Sequence, residues 1–161
     1  MRQPLLGVTI GDPSGAGPEI CFKALEDEEV NKSVRLVFYG DKWVMEKAKA
    51  IVKSDKEIAV LNEPSDYQEG KLNLISLDVM KEEWEYAKIQ ASCGRAAFAF
   101  IERAIQDALD KKIETVVTGP INKEALNKAG LHYAGMTEIF AEKTNTKDYA
   151  MMLTGGPLKV I

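Results

Sequence analysis

Residues 5–18 of this chain read LLGVTIGDPSGAGP, a short apolar run that passes into a loop with three glycines. The apolar run is typical of a buried strand, and Pro18 fits the first turn of a helix, where its missing N–H is not needed. The stretch predicts a strand over Leu5–Ile10, a loop over Gly11–Gly17 and a helix over Pro18–Glu26. Ligands of open α/β sheets bind at such loops, so we treat this loop as a candidate site.

The same alternation of strand and helix continues along the chain. Further strands are predicted over Arg35–Tyr39, Ile58–Leu61, Leu72–Leu77 and, as a buried strand, Thr115–Thr118. Further helices are predicted over Lys42–Val52, Ser92–Lys112, Lys123–Ala129 and Glu138–Lys143. Residues Ala150–Leu153 and Leu158–Ile161 are expected to pair as antiparallel strands. The pattern predicts an α/β fold with a largely parallel sheet and helices on both of its faces.

Composition narrows the classes of function. The 161 residues suit one domain, and a net charge of −4 argues against nucleic acid and acidic membranes as partners. The N-terminal apolar run is too short for a signal peptide or a membrane span. The two cysteines, Cys21 and Cys93, form neither a disulfide framework nor a zinc motif, which favours reduced thiols in the cytoplasm, and Cys21 is interpreted as a core residue.

The histidine count limits metal chemistry. His132 is the only histidine, so a three-histidine metal site cannot be assembled from this chain alone. A lone histidine without a partner is more often a surface or hydrogen-bonded residue than a catalyst, and we interpret His132 in that way.

Three loops are candidates for binding an anion. The first, Gly11–Gly17, fits neither a Walker motif nor a dinucleotide fingerprint, because Ala16 and Ile20 stand where glycines are required. Its glycines serve either a ligand or only a tight turn, and Asp12 is expected at a helix start. In the second loop, Lys123 either reaches an anion or is a solvated surface lysine.

The third loop, Ala129–Glu138, contains two glycines and the only histidine. Thr137 is interpreted as a helix N-cap, as a ligand contact or as both, since the two roles are compatible. Met136 is most simply explained by packing.

Four motifs in this order resemble the 4-hydroxythreonine-4-phosphate dehydrogenase family of vitamin B6 biosynthesis. They are GDPSGAGPEI at 11–20, TGPINKE at 118–124, AG-x4-G-x-TE ending at Glu138, and MML at 151–153. The resemblance implies a fold like that of the isocitrate and isopropylmalate dehydrogenases. Residues 1–161 would form the N-terminal portion of a two-domain α/β/α enzyme, truncated, because the chain stops inside the apolar run that ends at Ile161.

The resemblance also implies an activity. The expected reaction is NAD- or NADP-dependent oxidation of 4-phosphooxy-threonine at C3, followed by decarboxylation to 3-amino-2-oxopropyl phosphate in pyridoxal phosphate biosynthesis. A divalent metal such as zinc, held by ligands outside this chain, suits that chemistry. The family further implies a cytoplasmic homodimer, and the isolated chain is expected to be inactive.

Only part of the site carries over by residue. Thr137 matches the threonine of the family motif Gly-His-Thr-Glu, whereas Met136 stands at its histidine position. Met136, Thr137, Asp12 and Lys123 make up the expected substrate site, while the catalytic and cofactor-binding residues stay unassigned and no metal ligand is expected. Two alternatives remain open: a non-catalytic phosphometabolite-binding or assembly fragment, or a relative that acts on another phosphorylated hydroxy acid.

Overall fold

A five-stranded parallel sheet forms the centre of the computed structural model, which describes residues 3–161. Its strands are β1 Leu5–Thr9, β2 Arg35–Gly40, β3 Ile58–Val60, β4 Leu72–Ser76 and β5 Thr115–Thr118. Their spatial order is β3-β4-β2-β1-β5, and every neighbouring pair runs parallel. The predicted α/β class is confirmed.

Within residues 3–161, six α-helices connect or follow these strands. They are α1 Gly17–Ala24, α2 Glu28–Ser33, α3 Lys42–Val52, α4 Ala91–Leu109, α5 Lys123–Lys128 and α6 Met136–Lys143. The sequence did not predict α2. It begins because the Asp27 carboxylate accepts hydrogen bonds from the amides of Glu29 and Val30, which satisfies two donors of its first turn.

Helices cover both faces of the sheet because successive side chains of a strand point in opposite directions. On one face the Tyr39 hydroxyl donates to Asp107 of α4 at 2.9 Å. On the other face Val8 and Phe38 line an apolar groove of about 370 Å³ together with Cys21 of α1. Burial raises the pKa of the Cys21 thiol to about 12, which confirms Cys21 as a core residue.

Several predicted elements need correction. Helix α6 begins at Met136, two residues before the predicted Glu138, and the predictions for β5 and α4 differ more. β5 is not buried: it forms an edge of the sheet, and Val117 is 46% exposed. The predicted helix over Ser92–Lys112 is three residues too long, because α4 ends at Leu109 and Lys111 adopts the left-handed region at φ 59°.

The last residues form an antiparallel hairpin, as predicted. Its strands are β6 Leu153–Gly155 and β7 Leu158–Val160, so the first begins three residues later than Ala150. Gly156 turns the chain at φ 53°, a conformation that glycine adopts without steric cost. None of the helices within residues 3–161 combines the length and the apolarity needed to cross a lipid bilayer.

Candidate functional site

The carboxyl ends of β1 and β5 create a crevice at one edge of the sheet. In the sheet, β1 lies between β2 and β5. The chain continues from β1 to β2 on one side of β1, whereas β5 lies on its other side. The strand order therefore reverses between β1 and β5, and the loops that follow these two strands meet there. The Asp12 amide donates to the Pro120 carbonyl at 2.9 Å, and the Gly119 amide donates to the Thr9 carbonyl at 2.9 Å. Such reversal points are the usual ligand sites of open α/β sheets.

Two of the three glycines in the first loop are explained by backbone packing. Gly11 has φ 76°, and a Cβ added there would overlap the carbonyl oxygen of Pro120. A Cβ added at Gly17 would overlap the carbonyl oxygen of Ile10. Gly15 differs, because its nearest neighbour would be the Asp12 carbonyl oxygen at 3.5 Å. Of the three, Gly15 alone could carry a Cβ at an ordinary contact distance.

The crevice has a volume of about 350 Å³. Three segments line it, with the residues Asp12, Ser14–Ala16, Ala87–Ile89 and Pro120–Asn122. The first and second candidate loops are therefore brought together, although they are separated by about a hundred residues of sequence.

Asp12 is buried in the wall of this crevice rather than placed at a helix start. Its Oδ1 accepts from the Ser14 amide at 2.8 Å and lies 2.9 Å from the Ser14 hydroxyl. Helix α1 begins at Gly17 with Ala16 as its N-cap and without a side-chain cap. The expectation that Asp12 caps the helix was wrong, because the carboxylate folds back onto its own turn.

The third wall comes from residues 84–90, which sequence reasoning missed. The indole N–H of Trp84 donates to the Pro13 carbonyl at 3.0 Å, and the Ala87 amide donates to the Ser14 carbonyl at 2.9 Å. Trp84 is buried and packs edge-on against Trp43 at 4.9 Å between ring centroids. A tryptophan in an otherwise charged stretch is the signal that points to such an anchor.

Lys88 is the cation of this crevice. It is exposed, it lines the cavity, and no carboxylate of residues 3–161 lies within ion-pair distance of its ammonium. Its backbone carbonyl lies 2.9 Å from the Ser14 hydroxyl, which ties this segment to the first loop. An unpaired lysine that lines a cavity can attract an anion.

The remaining predicted site residues gather nearby but outside the crevice lining. A Cβ at Gly135 would lie 3.3 Å from Glu138 Oε2 and 3.9 Å from Lys123 Nζ, so both charged groups flank the start of α6. Gly135 is the N-cap of α6, and Thr137 lies inside the helix. The N-cap expectation for Thr137 was therefore wrong, because the extended backbone that precedes the helix falls on Gly135.

Met136 begins α6 and packs against a second apolar cluster that includes Phe98, Leu126 and Ile139. Ile121 packs against the same cluster and also lines the crevice, so it connects the two regions. The interpretation of Met136 as a packing residue is confirmed.

His132 and the thiols do not form a metal site. His132 is exposed, and its Nδ1 lies 3.4 Å from Asn127 Oδ1, as expected for a surface histidine. Burial, together with the charge of Asp12, raises the pKa of the Cys93 thiol to about 11. Across the described part of the chain, no three histidine, cysteine or acidic side chains converge on a metal position.

Asp41 fixes the chain that leads into residues 84–90. Its Oδ2 accepts from the Met80 amide at 2.6 Å, whereas its buried Oδ1 has no partner within residues 3–161. Burial raises the pKa of the Asp41 carboxyl, and amide hydrogen bonds from Met80 and Val79 offset part of this effect. Ionised Asp41 therefore costs folding free energy.

We expect the Asp41→Asn variant to differ from the parent in the pH dependence of its stability. Because the folded pKa lies above the unfolded one, Asp41 favours folding below the unfolded pKa, and this contribution is lost as pH rises through the folded pKa. Between the unfolded and the folded pKa of Asp41, the free energy of unfolding of the parent should fall relative to that of the variant. Above the folded pKa, the difference between the two proteins should stay constant. Urea unfolding between pH 4 and 7 measures it, and parallel profiles would refute the assignment.

Comparison with known proteins assigns the chain to a protein family. Residues 32–161 match the family described as "Pyridoxal phosphate biosynthetic protein PdxA". A D-threonate 4-phosphate dehydrogenase of Cupriavidus necator is 36% identical over 98% of this chain and 48% of its own length.

Two crystal structures of 4-hydroxythreonine-4-phosphate dehydrogenases have the same fold. The Burkholderia phymatum protein gives a TM-score of 0.92 at 32% identity, covering 99% of this chain and 49% of its own. The Klebsiella pneumoniae protein gives a TM-score of 0.88 at 32% identity, covering 98% of this chain and 48% of its own. The chain thus spans about half the length of the relatives it matches.

Proposed function

Because this chain belongs to the PdxA family of pyridoxal phosphate biosynthetic proteins, we propose that its crevice binds the substrate phosphate of a hydroxy-acid 4-phosphate dehydrogenase. The observation that carries the proposal is the unpaired Lys88 in a cavity built from the loops after β1 and β5. A phosphate there would accept from the Lys88 ammonium and from amides at the start of α1, where the helix dipole favours negative charge.

The substrate class follows from the names of the relatives. Both D-threonate 4-phosphate and 4-hydroxythreonine 4-phosphate carry a hydroxyl group at C3, next to the phosphorylated C4. The two molecules differ in the group at C2. We propose D-threonate 4-phosphate as the first substrate to test, since a 36% identical relative is named for it. 4-Hydroxythreonine 4-phosphate is the second, since structures at 32% identity are named for it.

The proposed reaction is a dehydrogenation. The hydroxyl group at C3 would lose its proton and C3 itself would lose a hydride, for which NAD or NADP would be the acceptor. The resulting 3-oxo acid would then lose its carboxylate as carbon dioxide while C2 gains a proton. Neither redox cofactor nor metal fits the residues described: the loop lacks a dinucleotide fingerprint, Gly17 packs against Ile10, and acidic or histidine ligands do not cluster in residues 3–161. We therefore assign these residues to substrate binding and derive no redox step from them.

The proposal extends to assembly. Residues 1–161 form the N-terminal portion of a two-domain enzyme that acts as a homodimer, and this portion alone does not turn over substrate. The alternative, a non-catalytic phosphometabolite-binding protein, makes the same binding prediction but predicts no NADH formation at any length.

Replacement of Lys88 by glutamine should weaken binding of D-threonate 4-phosphate about tenfold. A charge-assisted hydrogen bond contributes about 1.5 kcal/mol, which corresponds to roughly that factor in affinity. Isothermal titration calorimetry with the 161-residue chain measures the loss. The control is Lys32→Gln, because Lys32 is exposed on α2, three residues before β2 begins and so at the opposite end of the sheet, where it pairs with Glu28. The role of Lys88 would be contradicted if both variants weakened binding of D-threonate 4-phosphate equally, or if neither variant weakened it.

A further inference from the structure

A second cavity, of about 360 Å³, opens at the amino edge of the sheet, opposite the crevice. Leu5 at the start of β1 and Arg35 at the start of β2 line it, as do the ion-paired Glu63 and Lys112. Ser65, from a single turn of 3-10 helix over Pro64–Asp66, and Lys111, from the turn after α4, line its sides. The proposed function makes no use of this cavity.

The guanidinium of Arg35 lacks partners there. Its Nε and Nη2 atoms are both buried, and neither has a hydrogen-bond acceptor among the residues that the structure describes. The guanidinium lies over the Tyr67 ring, with Cζ 5.4 Å from the ring centroid, and forms no ion pair within residues 3–161. A buried, unpaired guanidinium in a native protein usually marks an unseen ligand or water.

The two lysines that line this cavity differ in their ion pairs. Lys112 is matched, because its ammonium lies 2.9 Å from Glu63 and 3.5 Å from Asp107. Lys111 forms no ion pair within the described residues, and its backbone is held at φ 59°. Arg35 and Lys111 are therefore two uncompensated cations that line one polar cavity.

We propose that this cavity binds a small tetrahedral oxyanion of the phosphate class. The planar guanidinium offers paired N–H groups that match two oxygens of such an anion, and a flexible ammonium can reach a third. Arg35 supplies the paired donors after a side-chain adjustment that opens them to the cavity, and Lys111 supplies the second charge. The site is separate from the crevice and does not depend on the proposed dehydrogenase activity.

Amide chemical shifts of the 161-residue chain, titrated with inorganic phosphate at constant ionic strength, test the proposal. We expect saturable shifts at Ser65, Lys111 and Lys112. Phosphate bound in the crevice would instead shift Gly15 and Ala16, and the Lys88→Gln variant should remove those shifts only. If one set of shifts is absent, phosphate does not bind at the corresponding site, and the other set still reports on the other site.

Three variants complete the test. Arg35→Gln should weaken phosphate binding at this cavity at least tenfold, and Lys111→Gln about threefold. Arg95→Gln is the matched control, because Arg95 is exposed on α4 and lines neither cavity, and it should bind as the parent does. If Arg35→Gln fails to fold, the phosphate affinity of Lys111→Gln tests the proposal instead. Shifts that follow ionic strength alone, or unchanged affinity in the folded variants, would overturn the proposal.

Discussion

Replacement of Gly11 by alanine is expected to lower the free energy of unfolding by more than about 3 kcal/mol. A left-handed backbone costs a residue with a Cβ about 1–2 kcal/mol, and Gly11 has φ 76°. The added Cβ would also overlap the Pro120 carbonyl oxygen, which accepts the Asp12 amide hydrogen bond. Relief of that overlap must separate the two loops that build the crevice. Urea unfolding at pH 7 gives the magnitude.

Gly15→Ala is the control for this prediction, because it makes the same chemical change in the same loop. The nearest atom to a Cβ at Gly15 is 3.5 Å away, an ordinary contact, and Gly15 does not have a left-handed φ. We expect a change within about 1 kcal/mol, in either direction. If Gly11→Ala were as mild as Gly15→Ala, the loops after β1 and β5 would not be packed as described.

The second large effect concerns Met136. The family resemblance places a histidine at this position, and a thioether can neither carry a proton nor donate a hydrogen bond. In a chimera that joins residues 1–161 to the C-terminal half of the Cupriavidus necator relative, Met136→His should raise the rate of NADH formation at least about 100-fold. This factor is the lower range of what one positioned acid or base contributes. Absorbance at 340 nm, with D-threonate 4-phosphate and NAD, measures the rate.

Met136→Gln in the same chimera separates proton chemistry from simple polarity. Glutamine has a length similar to methionine and forms hydrogen bonds, but it does not exchange a proton near neutral pH. We expect it to stay within about threefold of the Met136 parent, since hydrogen bonding alone does not replace a proton carrier. No NADH formation by either variant would favour the non-catalytic, metabolite-binding alternative, and equally raised rates for both would contradict the need for a proton carrier at position 136.

The strand, glycine loop and helix over residues 5–26 were predictable because each signal is local. An apolar run, close-set glycines and Pro18 each restrict the backbone within a few residues. The alternation of strands and helices then implied a parallel sheet. Exposure of β5 was not predictable in this way, because its Thr-Val-Val-Thr run has the same composition in a central strand and in an edge strand.

The candidate site was only partly predictable, for a similar reason. Asp12 was expected at the site because it lies in the glycine loop itself, and it does line the crevice. Lys88 was missed because it joins that loop through long-range bonds of Trp84 and Ala87, which no local pattern reveals. Arg35 was read as part of a strand, and its unpaired guanidinium becomes visible only once every buried donor has been checked for an acceptor.

The loops after β1 and β5, with residues 87–89, are proposed to form the binding site for the phosphate of a hydroxy-acid 4-phosphate. A crystal of this chain soaked with D-threonate 4-phosphate tests this proposal most directly. We predict density for the phosphate beside Gly15, within hydrogen-bonding distance of the Lys88 ammonium. Well-ordered crystals with an empty crevice, or with the ligand bound elsewhere on the chain, would contradict the claim.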